Sequence, residues 1–170
     1  MPVRPILIYP DSRLSVAATA VTRFDAALRQ LAVDLVDTMR AAPGIGITGP
    51  HIGVLQRVVV IDLGDGVGVR HYVNPTVLSA STETARHQEG SVSMPGVADE
   101  VERPARVHVG WQDLDGAARD AEFDGFLATC LQHEIDQLDG IFWIRRLSHL
   151  RRDRVVRRFD KLVRARRAGD

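Results

Sequence analysis

One stretch of the sequence concentrates residues that could do chemistry: Leu131–Gly140, which reads LQHEIDQLDG. On a helix, the spacing His-Glu-x-x-His brings two imidazoles to one face as zinc ligands, with the glutamate as general base. Here His133 and Glu134 are present, but Gln137 stands where the second histidine would be. The segment therefore indicates a metalloenzyme helix in which one ligand position has been replaced.

Composition limits the classes of protein that this chain can belong to. It has 170 residues, of which 45% are hydrophobic and 26% charged, values typical of one globular domain. Cys130 is the single cysteine, which excludes an intramolecular disulfide. The apolar run at residues 6–9 is too short for a signal peptide, and no stretch approaches the ~20 apolar residues of a membrane span. We expect one domain over residues 1–170, a cytoplasmic location and no membrane contact.

Hydrophobic periodicity predicts where regular structure forms. Apolar residues at steps of three and four predict helices over 23–40, 126–138 and 148–167. Runs and alternations of β-branched residues predict strands over 57–62 and 71–81 and a hairpin over 105–125. Pro75 is expected to put the second strand at a sheet edge or to interrupt it, and the Gly- and Pro-rich stretch 43–53 is expected to be irregular. Strands grouped between helices predict an α+β fold.

The C-terminal segment carries half of the basic charge. Residues 145–170 contain 11 arginines and lysines against 3 aspartates, although the whole chain has a net charge of zero. A basic block of this kind favours an acidic partner such as nucleic acid, and the alternative is a solvated helix face. Phe159 falls on the apolar face and leaves no aromatic platform among the arginines. We therefore expect any RNA contact to be with the backbone and independent of sequence.

Three segments, taken together, resemble one protein family. They read GIGITGPHIG at Gly44–Gly53, EGSVSMPG at Glu89–Gly96 and QHEIDQLDG at Gln132–Gly140. In this order and spacing they resemble the peptide deformylase motifs Gly-Ile-Gly-Leu-Ala-Ala-x-Gln-x-Gly, Glu-Gly-Cys-Leu-Ser and Gln-His-Glu-x-Asp-His-x-x-Gly. Supporting matches extend the resemblance over nearly the whole chain.

The resemblance implies a fold and a reaction. The fold is a peptide deformylase-like α+β fold, with mixed or antiparallel strands around the motif-three helix and a helix at the C-terminus. The reaction is hydrolytic removal of the formyl group from the starting methionine of new polypeptides. In the family, the motif-two Cys and both motif-three His hold a divalent metal, commonly ferrous iron. The motif-three Glu transfers the proton, and the motif-one Gln helps to stabilise the oxyanion.

Carried over residue by residue, the family's metal ligands become His133, Ser91 and Gln137. A neutral hydroxyl and an amide are poor substitutes for a thiolate and an imidazole, so we expect no cofactor; if a metal binds, the family implies Fe²⁺ or Zn²⁺. The catalytic positions fall on Glu134 and, at the oxyanion position, on His51. The positions that contact substrate are Gly44, Ile45, Gly46, Gly90 and Val92.

Two functions stay open at this point. The first is a deformylase-like protein that lacks the metal-dependent reaction and uses the fold to bind a nascent peptide N-terminus or, through the basic helix, the ribosome. The alternative is an active amidohydrolase, of the N-formylmethionyl-peptide deformylase type, with a metal site rebuilt from His51, His133 and Glu134. His87 lies close in sequence to the second motif, and Ser91 is a weaker candidate nucleophile. Cys130 is expected to be a small buried apolar residue.

Overall fold

In the computed structural model, which describes residues 3–169, three α-helices flank two antiparallel sheets. The helices are α1 (Ala26–Ala41), α2 (Gly125–Leu138) and α3 (His149–Ala168). The strands are β1 (Gly46–Thr48), β2 (Val58–Ile61), β3 (Arg70–Ala80), β4 (Thr84–Ser91), β5 (Met94–Pro104), β6 (Arg106–Gln112) and β7 (Ala118–Asp124). The α+β prediction is confirmed.

The larger sheet has the order β1-β2-β3-β6-β7, and β4 pairs with β5 as a separate hairpin. The expectation of an edge strand at 71–81 is wrong, because β3 pairs with β2 on one side and with β6 on the other. Its register shifts between Val73 and Thr76, at Asn74 and Pro75, so the missing proline N–H falls at an irregularity of the ladder. The side chain of Asn74, whose φ is 50°, bonds both main-chain groups of Val21 and fixes this irregularity.

The glycine-rich stretch 43–53 is more regular than the sequence predicts. It contains β1 and a 3-10 turn over Gly49–Ile52, which Gly53 ends with a φ of 79°. An added Cβ at Gly49 would lie 2.5 Å from the carbonyl oxygen of Val54, so the turn requires glycine there. The glycines therefore permit close packing of the backbone, and the short strand forms because its residues pair with β2.

Helix α2 lies between the sheet and a cavity. One face carries Leu131 and Leu138, which pack with Val59 and Val107 of the sheet in one apolar cluster. The other side carries His133 and Glu134, both buried. The helix is terminated by its C-cap Asp139 and by Gly140. At Gly140 the main chain has a φ of 78°, and an added Cβ would lie 2.8 Å from Ser15 O.

Helix α3 begins after Ser148, whose hydroxyl accepts a hydrogen bond from the N–H of Arg151. Val155 and Phe159 are its buried residues, and they join an apolar cluster with Met94 and Trp143. The helix therefore rests on β5 and leaves most of its arginines exposed. Within residues 3–169, no helix is both long enough and apolar enough to span a membrane.

Candidate functional site

A cavity of about 410 Å³ lies where the three sequence motifs meet. The first motif lines one part of it through residues 44–46 and His51, and the second through residues 89–92, Pro95 and Gly96. Helix α2 contributes the side chains of Phe126, Thr129, Cys130, His133 and Glu134. All five positions that the resemblance assigned to substrate line this cavity: Gly44, Ile45, Gly46, Gly90 and Val92.

His51 reaches the cavity as a neutral hydrogen-bond donor. The main-chain N–H of Thr48 lies 2.9 Å from Nδ1 of His51, and because an N–H can only donate, Nδ1 must be the acceptor. The ring proton is therefore on Nε2. Burial, together with the charge of His133, lowers the pKa of His51 to about 3. Nε2 is fully buried and has no hydrogen-bond partner among residues 3–169, so it is available to a ligand carbonyl.

Glu134, like His51, has a buried atom in the cavity that lacks a hydrogen-bond partner. Its Oε2 is fully buried and unpaired among the residues that the structure describes. Burial, partly offset by the charge of His133, raises the pKa of this carboxyl group to about 7. A Cβ built on Gly46 would lie 2.5 Å from Oε1 of Glu134, so the glycine leaves room for the carboxyl group. His51 and Glu134 thus present a donor and an acceptor to the same cavity.

His133 is held by a carboxylate rather than by a second histidine. Its Nδ1 lies 2.8 Å from Oε1 of Glu89. Burial opposes the charged form of His133, but the hydrogen bond that its Nδ1–H donates to Glu89 and the charges of Glu134 and Glu89 outweigh it and raise its pKa. Burial also disfavours ionised Glu89, yet the hydrogen bonds from Arg103 and His133 lower its pKa to about 2. The arrangement leaves Nε2 as the ring nitrogen not engaged by Glu89.

Glu89 belongs to a chain of ion pairs that is buried from Glu89 to Asp136 and reaches the surface at Arg146. Arg103 donates to both carboxylate oxygens of Glu89, at 2.6 and 2.8 Å, and to Asp136 at 2.8 Å. Arg146 then binds both oxygens of Asp136 at 2.7 and 2.8 Å. The chain joins β4, β5, α2 and the segment before α3, and it fixes the orientation of His133. Glu89, Arg103 and Asp136 were not predicted as site residues, although Glu89 and Asp136 lie within the second and third motifs.

The other two positions of the family's metal site do not present strong ligands. Gln137 is 2% exposed and does not line the cavity; its Nε2 donates to the carbonyl oxygen of Leu14 at 2.8 Å. Ser91 does line the cavity, but its hydroxyl accepts a hydrogen bond from the N–H of Ser93 at 3.1 Å. No group of three His, Cys, Asp or Glu within residues 3–169 is placed to hold a metal ion. The donor set therefore does not fit the family's metal.

Cys130 lines the cavity and His87 lies just outside it, where it contacts Thr129 and not the thiol. Burial, with the charge of Glu134 next, raises the pKa of the Cys130 thiol to about 12, so the thiol is neutral near pH 7. Nδ1 of His87 lies 2.9 Å from the hydroxyl of Thr129, and its ring is 5.9 Å from that of Phe126. His87 thus supports the wall of the cavity from outside. Thr48, which replaces the first alanine of the family's first motif, fixes the His51 tautomer through its main-chain N–H, a role that its residue type does not indicate.

Comparisons with known proteins agree with the arrangement of the motifs. The chain is 61% identical over 165 residues to a "Peptide deformylase-like" protein of Rhizobium meliloti (strain 1021), covering 97% of this chain and 96% of that protein. It is 44% identical over 166 residues to a "Peptide deformylase" of Brucella suis biovar 1 (strain 1330), with 96% and 95% covered.

A solved structure and a family model extend this agreement to the fold. The crystal structure of a peptide deformylase from Legionella pneumophila superposes with a TM-score of 0.90 at 39% identity, covering 96% of this chain and 97% of that one. The model of the polypeptide deformylase family matches residues 3–153. The recognition made from the three motifs is therefore confirmed, and this chain belongs to the polypeptide deformylase family.

Proposed function

We propose that this chain binds the N-terminal segment of polypeptides in the cavity and does not catalyse the metal-dependent removal of the formyl group. One observation carries the proposal: the side chain at the second histidine position, Gln137, is committed to the carbonyl oxygen of Leu14 instead of lining the cavity. Ser91 at the thiolate position is a neutral hydroxyl. His133 is then the one strong ligand that remains of the family's three.

The residues that remain favour recognition of a peptide main chain. The N–H at Nε2 of His51 donates to a carbonyl oxygen, and Oε2 of Glu134 accepts from an amide N–H; a buried polar group without a partner costs about 1–3 kcal/mol, which a ligand amide would relieve. Strand β1 is an edge strand of its sheet and contributes Gly46 to the cavity. An extended peptide can add to such an edge through main-chain hydrogen bonds.

Elemental analysis tests whether the protein lacks the metal that the reaction requires. The protein is prepared without oxygen, and iron, zinc and nickel are each supplied. We expect less than roughly a tenth of an equivalent of each metal, because two of three ligands are weak. Binding of a formyl-Met-Ala-Ser peptide with a C-terminal label tests recognition of the peptide by the cavity. Mass spectrometry of the recovered peptide then shows whether the formyl group has been removed. Formyl-peptide hydrolysis that disappears in Glu134→Gln would refute the proposal.

A rebuilt hydrolase is the second candidate, and a specific observation favours it. Two of the four buried side-chain atoms without a hydrogen-bond partner among residues 3–169 lie in the same cavity as His133: Nε2 of His51 and Oε2 of Glu134. On this alternative, Fe²⁺ or Zn²⁺ would have to draw these three residues together and turn the ring of His51, because within residues 3–169 they are not placed to hold a metal ion and Nε2 of His51 carries the ring proton. His51→Ala should then lower the metal content as well as the hydrolysis rate. Full metal content in that variant would exclude His51 as a ligand.

We also propose that α3 binds ribosomal RNA. Most arginines of the helix are exposed, and Arg154, Arg157, Arg158 and Arg164 form no ion pair within 4.0 Å among residues 3–169. Guanidinium groups pair with phosphate oxygens in a planar, bidentate geometry. The helix would hold the chain at the ribosome, where new N-termini emerge, and the cavity would then receive them.

A further inference from the structure

The C-terminal part of α3 lies against the rim of the cavity. Gly96, which lines the cavity, has a φ of 91° and no side chain. A Cβ built there would lie 2.9 Å from Cδ1 of Leu162 and 3.5 Å from Nη2 of Arg166. The guanidinium of Arg166 therefore lies beside the main chain of the β4–β5 hairpin, at the border between the cavity and α3.

Arg166 is a positive charge without an ion-pair partner among residues 3–169. It is exposed, and among residues 3–169 no carboxylate lies within 4.0 Å of its guanidinium. On the adjacent strand, Asp99 is occupied by Arg151, and Glu100 lies 3.8 Å from Arg86. Asp99 and Glu100 therefore pair with other arginines and not with Arg166.

The cavity itself offers no exposed negative charge that would repel an acidic ligand. Its two carboxylates, Glu89 and Glu134, are both buried. Its outer lining is uncharged: Ile45 and Phe126 are about two-fifths exposed, and Pro95 and the exposed amide of Gln88 add to it. The electrostatic environment that a ligand meets on the Gly96 side of the rim is therefore set by Arg166.

We propose that Arg166 is a specificity-determining residue that favours polypeptide N-termini with Asp or Glu shortly after the first residue. The inference rests on the proposed function, in which the first residue occupies the cavity. An extended peptide advances about 3.3 Å per residue, so the side chains of the next few residues lie at the rim. An acidic one among them can pair with Arg166, whereas a basic one is repelled.

The effect should be modest, because the pair would be solvent-exposed. Exposed ion pairs contribute about 0.2–1 kcal/mol, which corresponds to a preference of roughly 1.5- to 5-fold in Kd. It should also decrease as salt is added, because exposed charges are screened over about 10 Å at 0.1 M ionic strength.

Fluorescence anisotropy with matched peptides tests the proposal on the full chain. The probes are formyl-Met-Ala-Asp-Asp-Ser-Gly-Lys and the same peptide with both aspartates replaced by asparagine, each with a dye on the terminal lysine. The variants are Arg166→Ala, Arg166→Glu and, as a matched control, Arg158→Ala. Arg158 is on the same helix, is exposed and does not line the cavity, so its removal changes the net charge by the same amount.

We expect the wild type and Arg158→Ala to bind the aspartate peptide roughly 1.5- to 5-fold more tightly than the asparagine peptide. Arg166→Ala should bind both peptides equally, and Arg166→Glu should prefer the asparagine peptide. Wild-type protein that binds the two peptides with equal Kd would overturn the role of Arg166 while leaving the proposed function intact. Failure of both peptides to bind would overturn the proposed function, and this inference with it.

Discussion

Gln137 and Ser91 are the two residues whose side chains separate this site from the metal site that the family implies. In the variant Ser91→Cys/Gln137→His, a thiolate and a second imidazole join His133, whose Nδ1 is already held by Glu89 at 2.8 Å. Such a carboxylate partner orients a histidine ligand and strengthens its basicity. We expect the double variant to bind about one equivalent of Fe²⁺ or Zn²⁺, and each single variant to bind much less.

Metal content measured by elemental analysis, at equal protein concentration, checks this prediction. The single variant Gln137→His also removes the hydrogen bond to Leu14 O, so its thermal unfolding should be followed in parallel. Losing that bond while the carbonyl stays buried costs about 1–3 kcal/mol. A folded double variant without metal would show that the positions no longer converge, despite their family spacing.

His51 makes stability depend on pH through its burial. Its pKa is about 3 in the folded protein and 6.5 as the ordinary value. Between these values the unfolded chain binds a proton that the folded chain does not, so the free energy of unfolding decreases as pH falls from 6.5. His51→Gln lacks this group. From pH 7 to pH 4.5 we expect the wild type to lose about 2 kcal/mol more than the variant.

Urea denaturation at the two pH values provides the comparison. The carboxylates titrate in both proteins, so their contribution cancels in the difference between wild type and variant. Glutamine retains an N–H donor for the cavity, which limits the change at pH 7. Equal losses of stability in the two proteins would mean that the imidazole is not buried in its neutral form.

At the level of elements, the ion pairs around Arg103 connect β4, β5 and α2. The side chain of Arg103 is 5% exposed, and both its partners, Glu89 and Asp136, are buried carboxylates. Arg103→Met would leave these two charges without their common partner. Removing one member of a buried ion pair typically costs about 3–5 kcal/mol, because the remaining charge is uncompensated.

Arg106→Met is the matched control for this element. Arg106 is three residues away and pairs with Glu83 at 2.7 Å, but both side chains are more than half exposed. An exposed pair contributes at most about 1 kcal/mol. Chemical denaturation should therefore separate the two variants by at least about 2 kcal/mol. Similar stabilities would indicate that water screens the network around Arg103.

The same elements show what the sequence could and could not predict. Helices α2 and α3 and the strands β2, β6 and β7 follow from local periodicity, and the structure confirms them. The hairpin β4–β5 was not predicted, because the exposed positions of Thr84–Ser91 are charged or polar and the strand buries little. The central place of β3 was missed because Pro75 favoured an edge strand, whereas the interruption that Pro75 also predicted appears as the register shift between Val73 and Thr76.

The candidate site could also be predicted only in part, and for the same physical reason. The three motifs located the cavity because local segments carry its lining. The carboxylate that holds His133 could not be predicted, since Glu89 is 44 residues away from it. The same holds for Arg103, which binds Glu89 and is 30 residues from His133; the two meet because β4 pairs with β5. The direction of Gln137 likewise depends on Leu14, which is 123 residues distant.

At the level of the whole molecule, the basic charge is concentrated on α3 while residues 1–144 carry 11 basic and 19 acidic residues. If α3 binds ribosomal RNA through phosphates, affinity should fall steeply with salt. The variant Arg154→Ala/Arg158→Ala/Arg164→Ala removes three exposed charges from α3. Its slope of log affinity against log salt should be shallower by about 0.7–0.9 for each phosphate that the variant no longer binds.

A control variant that loses the same number of charges shows whether ribosome binding depends on the surface of α3 or on the net charge of the protein. Arg23→Ala/Arg29→Ala/Arg86→Ala removes three exposed arginines that lie outside α3. Co-sedimentation with ribosomes at several salt concentrations should show weakened binding for the α3 variant and nearly unchanged binding for the control. Equal weakening in both would assign binding to the overall field of the protein. Binding that is indifferent to salt would exclude phosphate contacts and leave α3 as a solvated face.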